Sequence, residues 1–191
     1  MTNTLLQCLP AQVNDRCRVL VLGSMPGGAS LHEQRYYAHP RNRFWPLMGR
    51  LCGFDPALDY PRRLLAVQSC GIGVWDVIGR CQRCGSLDAS IVRGSEQPND
   101  LPRLIAALPQ LRVIACNGAA AAKAFERWIR PVLPQDTCTV LALPSTSPAN
   151  AAFDLERLWQ SWQQLQPWLQ ARGEPSTLEP QDNGGQCGDI A

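Results

Sequence analysis

Ten consecutive residues, Tyr36-Tyr37-Ala38-His39-Pro40-Arg41-Asn42-Arg43-Phe44-Trp45, bring together four aromatic rings, two guanidiniums, an imidazole and a carboxamide. Rings stack on a nucleobase, arginines attract a phosphate backbone and an amide reads or orients polar atoms, so the mixture suits a base held in a phosphate-lined cleft. Tyr37 and Asn42 are the candidates for direct roles. A structural reading stands beside this one: Phe44 and Trp45 begin a core-facing helix that Asn42 caps. His39 reads either as an acid–base group or as a hydrogen-bonded structural histidine.

Two more stretches have unusual chemistry. In Gly23-Ser24-Met25-Pro26-Gly27-Gly28-Ala29-Ser30 the glycines and the proline fix a tight loop whose backbone amides could face an anion or a polar base edge. It matches neither the GxGxxG fingerprint nor a phosphate loop ending in Gly-Lys-Ser/Thr, which disfavours nucleotide cofactors. In Leu143-Pro144-Ser145-Thr146-Ser147-Pro148-Ala149-Asn150 three hydroxyls sit between two prolines. Such a rigid loop can meet phosphates without being ordered on binding, or it can be a turn that leads into the last helix.

The elements that must position these loops are legible as apolar runs. Arg18 to Gly23, Gly71 to Ile78, Arg112 to Asn117 and Thr139 to Leu143 are short, apolar and closed by polar or turn residues, as strands buried on both faces should be. Helical stretches separate them at Asn42 to Leu51, Tyr60 to Gln68, Asp100 to Leu108 and Gly118 to Ile129, and an amphipathic stretch from Leu155 to Leu169 follows. Its tryptophans read as core packing. Strands alternating with helices predict a three-layer α/β/α fold around a central four-stranded parallel sheet. Ligands of such sheets bind beyond the carboxyl ends of the strands, where the unusual loops begin.

Composition bounds the rest. A chain of 191 residues that is 45% apolar and 18% charged is too hydrophobic to stay unfolded, and its longest apolar runs fall far short of the ~18 residues that span a bilayer. Residues 1–171 are expected to form one domain and residues 172–191, rich in Gly, Pro, Gln and Asp, a disordered tail. Net charge is +2, with four carboxylates against one arginine in that tail, so the folded part is mildly basic. Nine cysteines, an odd number scattered through apolar runs, fit a reducing compartment, and a cytoplasmic location is expected. Cys81-x-x-Cys84 has no companion pair at metal-binding spacing, so no metal is expected.

The segments GSMPG, YYAHPRNRFW and LPSTSPAN together resemble the uracil-DNA glycosylase superfamily over most of residues 18–165. AHPRNRFW is similar to the AHPxNRFW segment of the mismatch-specific uracil/thymine branch, whose first motif reads G-x-N-P-G. Met25 replaces that asparagine, and GSMPG resembles instead the GSxPG of the hypoxanthine-DNA glycosylase branch. So does the run Val74-Trp75-Asp76-Val77-Ile78 through Cys81, Arg83 and Gly85-Ser86-Leu87-Asp88 to Ile91. Leu143 stands where the main uracil enzymes have histidine.

The resemblance implies a monofunctional DNA glycosylase that hydrolyses the N-glycosidic bond of a deaminated base, hypoxanthine first, flipped out of double-stranded DNA. It implies no cofactor and no membrane, and a monomer is expected; single-stranded DNA stays open as a second substrate form. Asn42 becomes the catalytic residue. Base contacts are expected from Ser24, Met25, Pro26, Gly27, Tyr37, Phe44 and Asn117, and DNA contacts from Arg41, Arg43, Ser145, Thr146, Ser147 and Pro148. Asp76 and Asp88 could supply a base, although helix capping or pairing with Arg80 or Arg83 is the competing reading. Three alternatives remain open: a G:U or G:T mismatch glycosylase, a catalytically weak damage sensor, and a disfavoured nucleoside hydrolase.

Overall fold

The computed structural model describes residues 4–135 and 137–169; the expected tail at 172–191 lies outside them. In chain order the elements are β1 (Thr4–Gln7), β2 (Val19–Gly23), α1 (Gly28–Glu33), α2 (Phe44–Cys52), α3 (Tyr60–Ser69), β3 (Ile72–Asp76) and β4 (Ile78–Arg83). After these come β5 (Gln97–Pro98), α4 (Leu101–Ala106), β6 (Val113–Asn117), α5 (Ala119–Trp128), β7 (Thr139–Leu143) and α6 (Leu155–Trp162).

The four predicted strands form one parallel sheet in the order β3-β2-β6-β7. Every residue of β2 and β6 is buried because both sheet faces are covered. Side chains alternate between two cores. Val19, Val21, Ile72, Val74, Val113 and Ala115 meet α2, α3 and α6 through Phe44, Trp45, Leu47, Met48, Val67, Leu158 and Trp162. Leu20, Leu22, Ile114 and Cys116 meet α4 and α5 through Leu101, Ile105, Ala121, Ala124 and Phe125. The architecture is therefore the predicted α/β/α sandwich. Each fully buried Leu, Ile or Phe in it is worth about 1.5–3 kcal/mol of transfer energy.

Two of the stretches read as single elements depart from that reading. The run from Gly71 to Ile78 is not one strand: β3 ends at Asp76, and β4 leaves as the middle of a separate antiparallel sheet ordered β1-β4-β5. The Val77 and Ile78 amides donate to the Gly23 and Ser24 carbonyls at 2.9 Å each, while the Asn99 side-chain amide holds the Asp76 carbonyl at 2.9 Å. These bonds fix Asp76 at the rim of the parallel sheet. The last amphipathic stretch is α-helical only to Trp162 and continues as a 3-10 helix from Gln163 to Trp168. Its Trp162 is fully buried and donates its indole N–H to the Pro144 carbonyl at 3.0 Å, tying α6 to the loop after β7.

Candidate active site

A cavity of about 400 Å³ opens at the carboxyl ends of β2, β3, β6 and β7. Its wall gathers the Gly23–Ser30 loop, Tyr37, His39, Arg41, Asn42, Asp76, Asp88, Asn117 and the Ser145–Ala149 loop. Residues separated by more than a hundred positions converge because each follows or ends a strand of one sheet.

Glycine permits two of the close approaches. A β-carbon on Gly23 would lie 2.2 Å from Oδ1 of Asp76, so only glycine lets the buried carboxyl pack against β2. Gly118, at φ +103°, would carry a β-carbon 2.8 Å from Cβ of Ser145, so glycine also lets the start of α5 meet the loop after β7. Asn117 completes that junction: its Nδ2 donates to the Thr146 hydroxyl and its Oδ1 accepts the Thr146 amide, both at 2.9 Å.

Asn42 is not the cap that the sequence suggested, since the N-cap of α2 is Arg43 and no side chain caps it; Asn42 instead makes a local turn just before the helix and faces the cavity. Its Oδ1 accepts the Phe44 amide at 3.0 Å, holding the start of α2. Only the oxygen of a carboxamide can accept from a backbone N–H, so the Nδ2 amide is the end left to donate into the cavity. Tyr37 adopts φ 54°, a left-handed conformation that is uncommon for a non-glycine residue and that clusters at binding sites. Its ring stacks on Phe44 at 3.8 Å between centroids, and burial, aided by Asp76, pushes its hydroxyl pKa well above the ordinary tyrosine value. Phe44 is fully buried and outside the cavity wall, so the expected base contact from it becomes a backing for Tyr37.

Two residues expected on DNA are spent inside the protein. Arg43 donates to the carbonyls of Phe153 and Ser147 and, at 3.1 Å, to that of Asn150, which stitches the loop after β7 from within. Thr146 is fully buried on Asn117. Ser145 and Ser147 line the cavity, their hydroxyls accepting the amides of Ser147 at 3.2 Å and Ala149 at 3.3 Å, and each retains a hydroxyl proton to give. Pro148 lines the wall beside them, and Arg41 is an exposed cation at it. His39 acts in its own turn, where Nδ1 accepts the Arg41 amide at 3.1 Å.

In the Gly23–Ser30 loop, Ser24 donates from Oγ to Asp88 at 2.7 Å, and the Gly28 amide donates to Ser86 Oγ at 3.0 Å. Met25 packs into the core on the α4–α5 side, and Gly27 stands at the N-terminus of α1. Pro26 offers its carbonyl to Arg83, whose guanidinium is buried and takes part in none of the ion pairs among the described residues, against the pairing with Asp76 or Asp88 weighed from the sequence. Leu143 is buried at the end of β7 and makes no wall.

Asp76 is the residue that sequence reasoning undervalued. It caps no helix and takes part in none of the ion pairs among the described residues. It is 4% exposed at the cavity, and burial above all, with Asp88 adding to it, pushes its carboxyl pKa up to about 8. The signal was present: an aspartate that closes an otherwise apolar strand run lands at the ligand-binding rim of a parallel sheet.

The model of the uracil DNA glycosylase superfamily matches residues 10–166. The chain belongs to that superfamily. By family it is a DNA glycosylase. It is 35% identical over 149 residues to a Methanosarcina acetivorans protein named hypoxanthine DNA glycosylase, a span covering 78% of this chain and 90% of the relative. A Methanosarcina barkeri protein of the same name is 35% identical over 113 residues, covering 59% of this chain and 70% of the relative. Among solved structures, the solution NMR structure of a candidate uracil DNA glycosylase from M. acetivorans superimposes with a TM-score of 0.70 at 32% identity, covering 82% of this chain and 94% of the other. The loops that carry the superfamily resemblance are those that build the cavity.

Proposed function

We propose that this glycosylase hydrolyses the N-glycosidic bond of a deaminated base, hypoxanthine in deoxyinosine, after the nucleotide turns out of duplex DNA into the cavity. The observation that carries the proposal is the cavity wall itself: a stacking platform of Tyr37 on Phe44 stands with an amide donor of Asn42 and a buried carboxyl in about 400 Å³. Relatives named hypoxanthine DNA glycosylase supply the choice of base. Turning a base out of the stack costs a few kcal/mol, least for a mispair, which favours deaminated bases before any contact forms.

Cleavage breaks the bond between the anomeric carbon and the base nitrogen, leaving the electron pair on the base and oxocarbenium character on the sugar. Water then bonds to the anomeric carbon, and the proton it gives up neutralises the departed base. Donors aimed at the departing base are the efficient catalysts for such a step, because they strengthen as its charge grows. Asn42 meets that need through Nδ2, fixed by the bond that Oδ1 makes to Phe44. The single lysine, Lys123, lies on α5 and outside the cavity wall, which favours plain hydrolysis over Schiff-base chemistry with a lysine side chain.

Two variants separate base capture from backbone binding. Tyr37→Ala is expected to weaken capture of the extruded base by roughly 1–3 kcal/mol, the usual worth of one stacked base, read as a higher protein concentration for half-maximal single-turnover release. Arg41→Ala is expected to weaken all DNA equally and to reduce the slope of log affinity against log salt by about 0.9, one phosphate contact. The proposal itself is tested by offering hypoxanthine within duplex DNA and as free deoxyinosine. Release from DNA alone is expected; turnover of the free nucleoside at a comparable rate would point to a nucleoside hydrolase.

A further inference from the structure

Beside the cavity lies a second hollow of about 430 Å³, and the two share Gly28, Ala29 and Tyr36 as walls. Arg35, Tyr60 and Arg63 also line it. The guanidinium carbon of Arg35 stands 6.0 Å from the Tyr60 ring centroid, and that of Arg63 stands 6.0 Å from the same centroid and 4.7 Å from that of Trp45. Two like charges thus meet at one ring. Neither takes part in an ion pair among the described residues, and Nε of Arg63 is buried there without a hydrogen-bond partner. The nearby carboxylates are engaged elsewhere, Glu33 with Nδ1 of His32 at 3.2 Å and Asp59 with Arg62 at 3.7 Å.

We propose that this hollow seats a phosphate of the damaged DNA strand next to the extruded nucleotide, gripped by Arg35 and Arg63 with the Tyr60 hydroxyl as a further donor. The inference rests on the proposed function, since it takes the first cavity as the pocket of the extruded base. A strand whose base enters that cavity carries its flanking phosphates past the shared wall, where Gly28 and Ala29 present no long side chain. The guanidinium fork matches phosphate oxygens in geometry as well as in charge. Tyr60 accepts the Tyr36 amide at 3.0 Å and so keeps its own proton to give.

The empty hollow holds its positive charges at a cost that an anion removes. Burial, with Arg35 adding to it, pulls the Arg63 pKa below the ordinary arginine value, against opposing pulls from the Tyr60 hydroxyl and Asp59. A phosphate between the two guanidiniums neutralises that repulsion and gives the buried donor an acceptor. Such a contact reads no base. It fixes the path of the strand beside the lesion and helps offset the few kcal/mol that turning the nucleotide out requires.

The test measures the affinity of the full chain, Arg35→Gln, Arg63→Gln and the double variant for duplexes carrying deoxyinosine, with melting curves to establish folding. Single phosphates near the lesion are replaced in turn by uncharged methylphosphonates. One replacement on the damaged strand should weaken binding by the parent and leave the double variant unmoved, because both changes remove the same contact. The slope of log affinity against log salt should be shallower by about 0.9 in the double variant, one phosphate. Arg62→Gln, which alters a guanidinium paired with Asp59 outside the hollow, should keep the parent slope. Arg35 is exposed, so Arg35→Gln carries the comparison if Arg63→Gln does not fold. A folded double variant with the parent slope, or one that every replacement weakens as much as it weakens the parent, would overturn the inference. So would a melting temperature that inorganic phosphate raises in the parent and not in the double variant while both bind DNA alike, since the hollow would then hold a free anion. A methylphosphonate effect that depends on the two arginines, in a parent that releases no hypoxanthine, would instead refute the proposed function and leave the phosphate seat standing.

Discussion

Asn42→Ala is expected to lower single-turnover base release by about 10²–10³-fold, the loss that follows removal of one donor preorganised toward developing charge. DNA affinity should change little, because the contact strengthens only as the bond breaks. The same change removes the acceptor of the Phe44 amide at the start of α2, so stability should fall by about 1 kcal/mol, seen as roughly 2–4 °C in Tm. Asn42→Asp separates the two effects. A carboxylate still accepts the Phe44 amide and should restore the melting temperature, yet it has no N–H to offer and should remain catalytically impaired. Cleavage by Asn42→Ala at the parent rate would remove Asn42 from the chemistry and leave it a residue that holds the turn before α2.

Arg43→Ala should produce the largest loss of stability among the arginines near the cavity. Its guanidinium donates to the carbonyls of Phe153, Ser147 and Asn150, so the alanine variant strands three acceptors of the loop after β7. Hydrogen bonds to charged groups are worth about 1.5–3 kcal/mol each, and a half-buried set that water can partly replace should cost roughly 2–4 kcal/mol in all. Tm should then fall by roughly 5–15 °C. The slope of log affinity against log salt should keep its parent value, in contrast to Arg41→Ala. An Arg43→Ala protein that melts like the parent and shows a shallower salt slope would return this guanidinium to the DNA.

Arg43 also shows where sequence reading loses sight of the site. The four parallel strands and helices α2 to α6 were legible because burial on both sheet faces leaves short apolar runs, and amphipathic helices leave their own period. Helix α1 was not, since six residues opening on Gly28 and Ala29 carry too little periodicity. The second sheet was missed for a related reason. Its β5 spans two residues, and β4 hides behind β3, although Ile78–Arg83 alternates buried and exposed positions beyond Gly79 as an antiparallel strand should.

At the site, the loops that converge on the cavity were readable from their position after apolar strands. The destinations of individual side chains were not. Arg41 and Arg43 are two residues apart and chemically identical, yet one is exposed at the cavity and the other is bonded to three carbonyls more than a hundred positions away. Thr146 and Ser147 diverge in the same manner, the first buried on Asn117 and the second lining the wall. Residue type fixes what a group can bond to; only tertiary contacts decide which partner it reaches.

The most direct test of the account is single-turnover release, with chelator present, from labelled duplexes carrying hypoxanthine, uracil or thymine opposite each normal base, scored by alkaline cleavage of the abasic product. The expected result is release of hypoxanthine ahead of the pyrimidines, undiminished by the chelator and lost in Asn42→Ala. Preferential release of uracil or thymine opposite guanine would move the protein to mismatch repair of pyrimidines. Intact DNA binding with no release of any base would contradict the catalytic reading and leave a protein that senses damage without removing it.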